Sequence, residues 1–168
     1  MLRFADDAKM ISKVGTEADV FKLKNDLEKL EKWSDDWQML FNVDKCKVMH
    51  LGFNDKSDVY SMKGNRLEPV QEERDLGVVI SKDLKVSKQC VRAATKGNQI
   101  LGMISRTFKS KKSVIILKLY KSLVRPHLDY CSQAWRPHLS KDKFVLEKVQ
   151  RRATRMMEEF KKKIIMKD

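Results

Sequence analysis

Two adjacent carboxylates, Asp6 and Asp7, are the residues near the start of the sequence whose type and spacing could do chemistry. Mg²⁺ takes oxygen ligands and is commonly held by one or two carboxylates together with substrate phosphates. Two such ions can stabilise the attacking and leaving oxygens of a phosphoryl transfer. Aspartate is also a common turn residue. The pair alone therefore leaves two interpretations open, a metal site and an ordinary acidic turn.

The residues around this pair predict a β-hairpin. Apolar side chains recur at every second position on either side of it: Leu2, Phe4, Ala8 and Met10. This period is typical of a half-buried strand. Asp6 and Asp7 interrupt the pattern where a tight turn would fit, although Asp-Asp is a weaker turn signal than Asn-Gly. We therefore expect the two carboxylates at the tip of the hairpin.

A long amphipathic helix is predicted after the hairpin. Thr16 and Asp19 have the spacing of a capping box, with Thr16 as N-cap. Apolar residues then follow at helical spacing: Val20, Leu23, Leu27, Leu30, Trp33 and Trp37. Both tryptophans share the apolar stripe, so they are expected in the core. Residues 38–52 predict a turn followed by a strand.

Further short strands are expected before residue 84. Residues 53–75 are polar and rich in turn residues, and short strands are predicted on both sides of Gly64. Residues 75–80 predict one further strand. Hairpin, helix and strands in this order indicate an α+β layer with a helix on one face of an antiparallel sheet.

From residue 84 the apolar spacing becomes helical. Three stripes are predicted, one from Val86 to Phe108, one from Ile116 to Leu123 and one from Val145 to Met156. Pro126 is expected to break or kink the second helix, and Ser140 is a possible cap of the third. Three apolar stripes with short polar links predict a small helical bundle.

Charge is distributed unevenly along the 168 residues. Residues 1–80 carry 13 Lys and Arg against 16 Asp and Glu, whereas residues 81–168 carry 23 against 7. The net charge therefore changes from −3 to +16 between the two parts. A strongly basic region favours a polyanionic partner, with nucleic acid as the first candidate. The alternative is a helical bundle with solvated, Lys-rich faces.

Cysteine and histidine spacing indicates no disulfide framework and no zinc site. Cys46, Cys90 and Cys131 lie far apart, and the three histidines show no metal-ligand spacing. A reducing, intracellular compartment is expected, either nuclear or cytoplasmic. The sequence has no apolar run long enough to span a membrane and no signal-peptide pattern at its start.

Several motifs are similar to those of one protein family. Residues 4–7 (FADD) resemble the (Tyr/Phe)-x-Asp-Asp hairpin of reverse transcriptases. Residues 119–131 (LYKSLVRPHLDYC) and 146–155 (LEKVQRRATR) resemble runs that follow the palm in reverse transcriptases of LINE-type, non-LTR retrotransposons. The chain is thus similar to the C-terminal palm and thumb of such an RNA-directed DNA polymerase. The resemblance covers about residues 1–157 and keeps the family's motif order.

The resemblance implies roles for individual residues. Asp6 and Asp7 would hold Mg²⁺, and Lys45 of an Asn-x-x-Lys signature would complete the catalytic set beside the nucleotide triphosphate. Leu76 and Gly77 would belong to the strand pair that grips the primer. Thumb cations would contact the backbone of the RNA template and DNA primer duplex, with these candidates: Arg92, Lys96, Arg125, Arg151, Arg152 and Arg155.

The expected organisation is a partial palm over residues 1–83, a thumb-like helical bundle over 84–158 and a basic tail over 159–168. A family polymerase also needs fingers and a metal-binding aspartate on a strand that precedes the hairpin. We therefore expect this chain alone not to polymerise DNA. Two alternatives remain, a non-catalytic basic module that binds nucleic acid and a relic without function.

Overall fold

The computed structural model describes residues 2–4, 7–52 and 58–157. In it, two short strands near the start of the chain form the expected hairpin. Strands β1 (Leu2–Phe4) and β2 (Asp7–Lys9) pair antiparallel, with Phe4 opposite Asp7. The strand pairing confirms the hairpin, but Asp7 is the first residue of β2, so the expectation that both carboxylates lie at the tip is wrong for Asp7. Asp6 and the side chain of Asp7 lie outside the described residues, so the arrangement of the two carboxylates stays a prediction.

Helix α1 (Glu17–Asp36) begins with the predicted capping box. The Thr16 hydroxyl oxygen accepts a hydrogen bond from the backbone N–H of Asp19 at 3.3 Å. The Asp19 carboxylate accepts one from the backbone N–H of Thr16 at 2.9 Å. Two amide groups that have no partner inside the helix are thereby satisfied, which fixes the start of α1.

The apolar stripe of α1 builds a small core in the first of two structural units, Met1–Gln71. Val20 is buried with Tyr60, Met62 and Leu67, and the leucines of α1 pack against them. The expectation for Trp37 is wrong, since this side chain is 68% exposed. α1 ends at Asp36 and Gln38 has a φ of 53°, so the chain reverses before the stripe reaches Trp37.

Two short strand pairs accompany α1. β4 (Ser61–Met62) and β5 (Asn65–Arg66) pair antiparallel around Gly64, as predicted. β3 (Lys47–Val48) and β6 (Glu68–Pro69) pair parallel, so the expectation of an antiparallel arrangement is wrong for them. A parallel pair needs a crossover connection, and the intervening β4–β5 hairpin lies within that connection.

Residues 75–80 are not one continuous strand, because a two-residue hairpin turn interrupts them. β7 (Glu72–Asp75) and β8 (Val78–Ser81) pair antiparallel, and the loop residues Leu76 and Gly77 have φ values of 44° and 87°. Two positive φ angles are typical of a type I′ turn, whose twist suits a two-residue hairpin loop.

This hairpin belongs to the second unit, Glu72–Asp168. Val78 joins the core of that unit, and the Gln89 side-chain oxygen accepts a hydrogen bond from the Val79 N–H at 2.9 Å. The division between the units therefore precedes the hairpin, and the palm–thumb boundary between residues 83 and 84 that the resemblance implies stays a prediction.

Helices make up the rest of the second unit. The first is α2 (Ser87–Thr107), and a continuous helical run then passes through α3 (Ser113–Leu119), a π-helical segment (Tyr120–Val124) and α4 (Arg125–Asp129). α5 (Ser132–Trp135) and α6 (Ser140–Arg155) follow. Pro126 does not end the run, because the turn before it widens and the Arg125 N–H donates to the Tyr120 carbonyl. Ser140 is the first residue of α6 and not its cap, which is Leu139.

The three predicted stripes meet in one core. Residues with at most 1% exposure come from α2, α3, the π-helical segment and α6: Cys90, Leu101, Ile104, Ile116, Val124 and Val149. Gly97 of α2 packs tightly against α6, since a Cβ there would be 3.1 Å from Val149 Cγ1. The fold is thus α+β, with small strand pairs and a helical second unit.

The cysteines provide a test of this core. Burial, with a smaller contribution from nearby Asp142, raises the pKa of the Cys90 thiol to about 11. Since the thiolate is the reactive form, Cys90 is expected to resist a disulfide reagent at about pH 8 until the unit unfolds. Cys131 is exposed and should react in the native protein. Ellman titration of the wild type and of Cys131→Ser, native and denatured, checks this. Rapid native labelling of Cys90 would contradict the core.

Candidate nucleic-acid interface

The second unit contains a long stretch without carboxylates. Residues 84–128 include eleven Lys and Arg and no Asp or Glu. α2 lies entirely inside this stretch, and its Arg92 and Lys96 are exposed one turn apart. Neither of them forms an ion pair with any other described residue, whereas Lys88 pairs with Glu72 at 2.5 Å. Such a surface carries a positive potential that attracts polyanions.

The cations of α6 line a cleft of about 420 Å³ beside α2. Asn98 contributes from α2, and all other lining residues lie on α6: Phe144, Lys148, Arg151, Arg152 and Arg155. Positions 144, 148, 151 and 155 recur at intervals of four and three, which places them in one row on a helix. Val149 and Ala153 lie on the buried face of α6 and fix its orientation.

Two of the arginines are held by neighbours. Arg152 Nη1 donates to Asn98 Oδ1 at 2.9 Å and to the Asn98 carbonyl at 3.3 Å, which joins α6 to α2. Arg151 Nη2 donates to Glu147 at 3.0 Å. A guanidinium has five N–H donors, so each of these arginines keeps donors for a ligand.

The other two cations of the cleft pair with no carboxylate in the part of the chain that the structure describes. Lys148 Nζ lies 4.6 Å from the centre of the Phe144 ring, and Arg155 forms no ion pair with any described residue. The Arg151 guanidinium lies 5.4 Å from the same ring centre. The cleft therefore combines one exposed aromatic ring with four positive charges.

Arg125, the remaining thumb candidate, is engaged within α4. Its Nε donates to Asp129 at 2.8 Å, and this contact raises the pKa of the guanidinium further above its ordinary value. Both side chains are exposed, so the ion pair adds little stability. A phosphate at Arg125 would compete with Asp129.

The predicted primer-grip residues form the tip of the β7–β8 hairpin. The Tyr130 hydroxyl donates to the Leu76 carbonyl at 3.0 Å. A Cβ at Gly77 would be 3.1 Å from the Tyr130 ring, so the close approach that Gly77 permits is made by a side chain of the same unit. Leu76 itself is 46% exposed.

The predicted catalytic residues belong to the first unit. Lys45 is exposed and lies in a 3₁₀ turn (Val43–Lys45), where its N–H donates to the Asn42 carbonyl at 3.1 Å. Asn42 and Lys45 are therefore brought together, whereas the carboxylates of Asp6 and Asp7 lie outside the described part. Among the described residues, no group of three or more His, Cys, Asp and Glu is arranged to hold a metal ion. The Mg²⁺ site stays a prediction.

Sequence reasoning missed three residues of the cleft, namely Asn98, Phe144 and Lys148. Phe144 and Lys148 had a readable signal, because they share the helical row of Arg151 and Arg155, which lies outside the apolar stripe of α6. Asn98 had none, since it joins the cleft only through the packing of α2 on α6.

No protein-family model, curated protein or solved structure matches the chain. Among the described residues, no helix has both the length and the apolar character needed to cross a membrane. Cys46, Cys90 and Cys131 are all free thiols.

Proposed function

We propose that this chain is a palm and thumb segment of a LINE-type reverse transcriptase whose second unit binds the RNA–DNA template–primer duplex. The observation that carries the proposal is the charge of that unit, with a stretch of 45 residues (84–128) that lacks carboxylates and a neighbouring cleft with four cations. Nucleic-acid backbones are bound mainly through Lys and Arg contacts to phosphates, which release counterions.

The motif runs that carry the resemblance lie on this basic unit. Residues 119–131 cover the π-helical segment and α4, and residues 146–155 supply the cleft cations of α6. In this proposal Asp6 and Asp7 bind Mg²⁺, and Lys45 acts beside the triphosphate. Leu76 and Gly77 lie near the primer.

A second candidate is a non-catalytic module that binds nucleic acid without metal. It is favoured by the second unit's own core, which encloses the buried faces of α2 and α6 and leaves their cations outside. Mg²⁺ dependence of DNA synthesis separates the two, since only a polymerase needs the hairpin carboxylates.

Binding of a labelled RNA–DNA hybrid, measured by fluorescence anisotropy over a range of salt, tests the proposal. If six to ten phosphates are contacted, we expect affinity to fall about 10³- to 10⁵-fold between about 50 mM and about 200 mM salt. Binding without Mg²⁺ is expected, because the described residues that line the cleft include no carboxylate that would need a bridging ion. Absence of binding at low salt would reject the proposal.

Primer extension then distinguishes the two candidates. A separately expressed fingers and upstream palm fragment of a LINE-type enzyme is added to the chain, with Mg²⁺, template, primer and nucleotides. A polymerase segment should restore extension that the Asp6→Asn variant abolishes. Duplex binding without extension in this mixture would favour the non-catalytic module.

A further inference from the structure

The α6 cleft combines chemical groups that a duplex backbone alone does not require. Phosphates need only the cations, yet the cleft also presents the Phe144 ring, which is 44% exposed. Lys148 and Arg151 lie 4.6 Å and 5.4 Å from the ring centre, and the row continues to Arg155. An exposed ring among phosphate-binding cations is the usual composition of a site for single-stranded nucleic acid.

We propose that this cleft binds an unpaired nucleotide of a single strand, whose base stacks on Phe144 while the adjoining phosphates contact Lys148, Arg151 and Arg155. This inference rests on the proposed nucleic-acid-binding function and adds an unpaired nucleotide at Phe144 to the duplex phosphates that the same cations contact. In a duplex the faces of each base are covered by its neighbours, so a ring on the protein surface can stack only on a base outside the stack.

The dimensions of the cleft agree with this assignment. Its volume of about 420 Å³ falls in the range of small-ligand sites. Phe144 and Arg155 are separated by about 16 Å along α6, given a rise of 1.5 Å per residue. A strand that places one base at Phe144 can therefore place its following phosphates along the arginines.

The contact between Arg152 and Asn98 gives this surface a fixed shape. The two hydrogen bonds at 2.9 Å and 3.3 Å hold the Arg152 guanidinium against Asn98 of α2. Arg151 is positioned by Glu147 on the same helix. Cations that are already ordered lose less side-chain entropy when a strand binds.

The test compares Phe144→Leu with Phe144→Trp in the full chain. Anisotropy measures the affinity for short single-stranded RNA and DNA and for a blunt RNA–DNA duplex that has no unpaired nucleotide and whose two ends are blocked. We expect Phe144→Leu to weaken both single strands by about fivefold or more, because stacking is lost. Phe144→Trp should retain or increase their affinity, and duplex affinity should be unchanged. Phe21→Leu, at a 75% exposed ring in the first unit, is the matched control.

Each outcome decides the inference separately from the proposed function. Duplex binding with equal single-strand affinities for wild type and Phe144→Leu overturns the unpaired-nucleotide site and leaves the proposed function intact. Single-strand binding that depends on Phe144, without duplex binding, overturns the template–primer role and supports the site. If the wild-type chain binds neither single strands nor the duplex, both the proposed function and the unpaired-nucleotide site are overturned. Competition by polyglutamate as effective as that by a single strand of equal charge would identify a general polyanion surface and overturn the site.

Discussion

Replacing Lys148 and Arg155 together by glutamate is expected to weaken binding of an RNA–DNA hybrid on the order of 100-fold at low salt. These two cleft cations have no carboxylate partner among the described residues, so their charge is available to phosphates. Each lost phosphate contact should also lower the slope of log affinity against log salt by about 0.9. Anisotropy titrations at several salt concentrations measure both quantities.

The fold should survive this double substitution. Both side chains project from the outer face of α6, opposite Val149 and Ala153. A glutamate at position 148 lies one turn from Arg151 and Arg152, where ion pairs on the helix surface are mildly favourable. A glutamate at position 155 is disfavoured at a helix C-terminus by about 0.3–1 kcal/mol.

A matched control separates the cleft from net charge. Lys22 and Lys32 are exposed on α1 and form no ion pair with any described residue. Their double replacement by glutamate changes the net charge of the chain by the same amount. If this control weakens hybrid binding as much as the cleft variant does, long-range charge and not the cleft determines affinity.

Local patterns in the sequence were sufficient to predict most of the elements. The capping box at Thr16 and the apolar spacing of α1, α2 and α6 follow from helix geometry, so they are readable without tertiary information. The turn at Gly64 is similarly local. The basic character of the second unit is a property of composition and needs no coordinates.

What the sequence could not predict depends on contacts between distant residues. The parallel pairing of Val48 with Pro69 spans a hairpin, and two-residue strands carry too few side chains to specify register. In the sequence Trp37 continues the apolar spacing of α1, but the chain reverses direction at Gln38. The hydrogen bonds of Asn98 to Arg152 join positions 54 residues apart, so the cleft exists only through tertiary packing.

Gly97→Leu is expected to destabilise the second unit by about 3 kcal/mol or more. Gly97 is buried on α2, and a Cβ there would lie 3.1 Å from Val149 Cγ1 and 3.3 Å from Leu128 Cδ2. Both neighbours are in the core, so they have no space into which to move, and a larger side chain must separate α2 from α4 and α6. Thermal unfolding followed by circular dichroism should show a midpoint lower by about 10 °C or more.

Gly102→Ala is the matched control on the same helix. Its Cβ would meet only the flexible end of Arg106 at 3.5 Å and Arg152 at 4.0 Å. Removal of a glycine from a helix interior should therefore stabilise α2 by about 1 kcal/mol. In Gly97→Ala the same gain is offset by the tight contact with Val149, and its stability should stay within about 1 kcal/mol of the wild type.

The Gly97→Leu variant also tests whether packing in the core maintains the shape of the cleft. Asn98 follows Gly97 and holds Arg152 only while α2 and α6 stay in contact. Gly97→Leu should therefore expose the Cys90 thiol to Ellman's reagent and weaken nucleic-acid binding together, whereas Gly102→Ala should do neither. A Gly97→Leu variant with wild-type unfolding and an unreactive Cys90 would show that the helices are not in close contact at Gly97. Lost binding with a protected Cys90 would place the effect in the cleft alone.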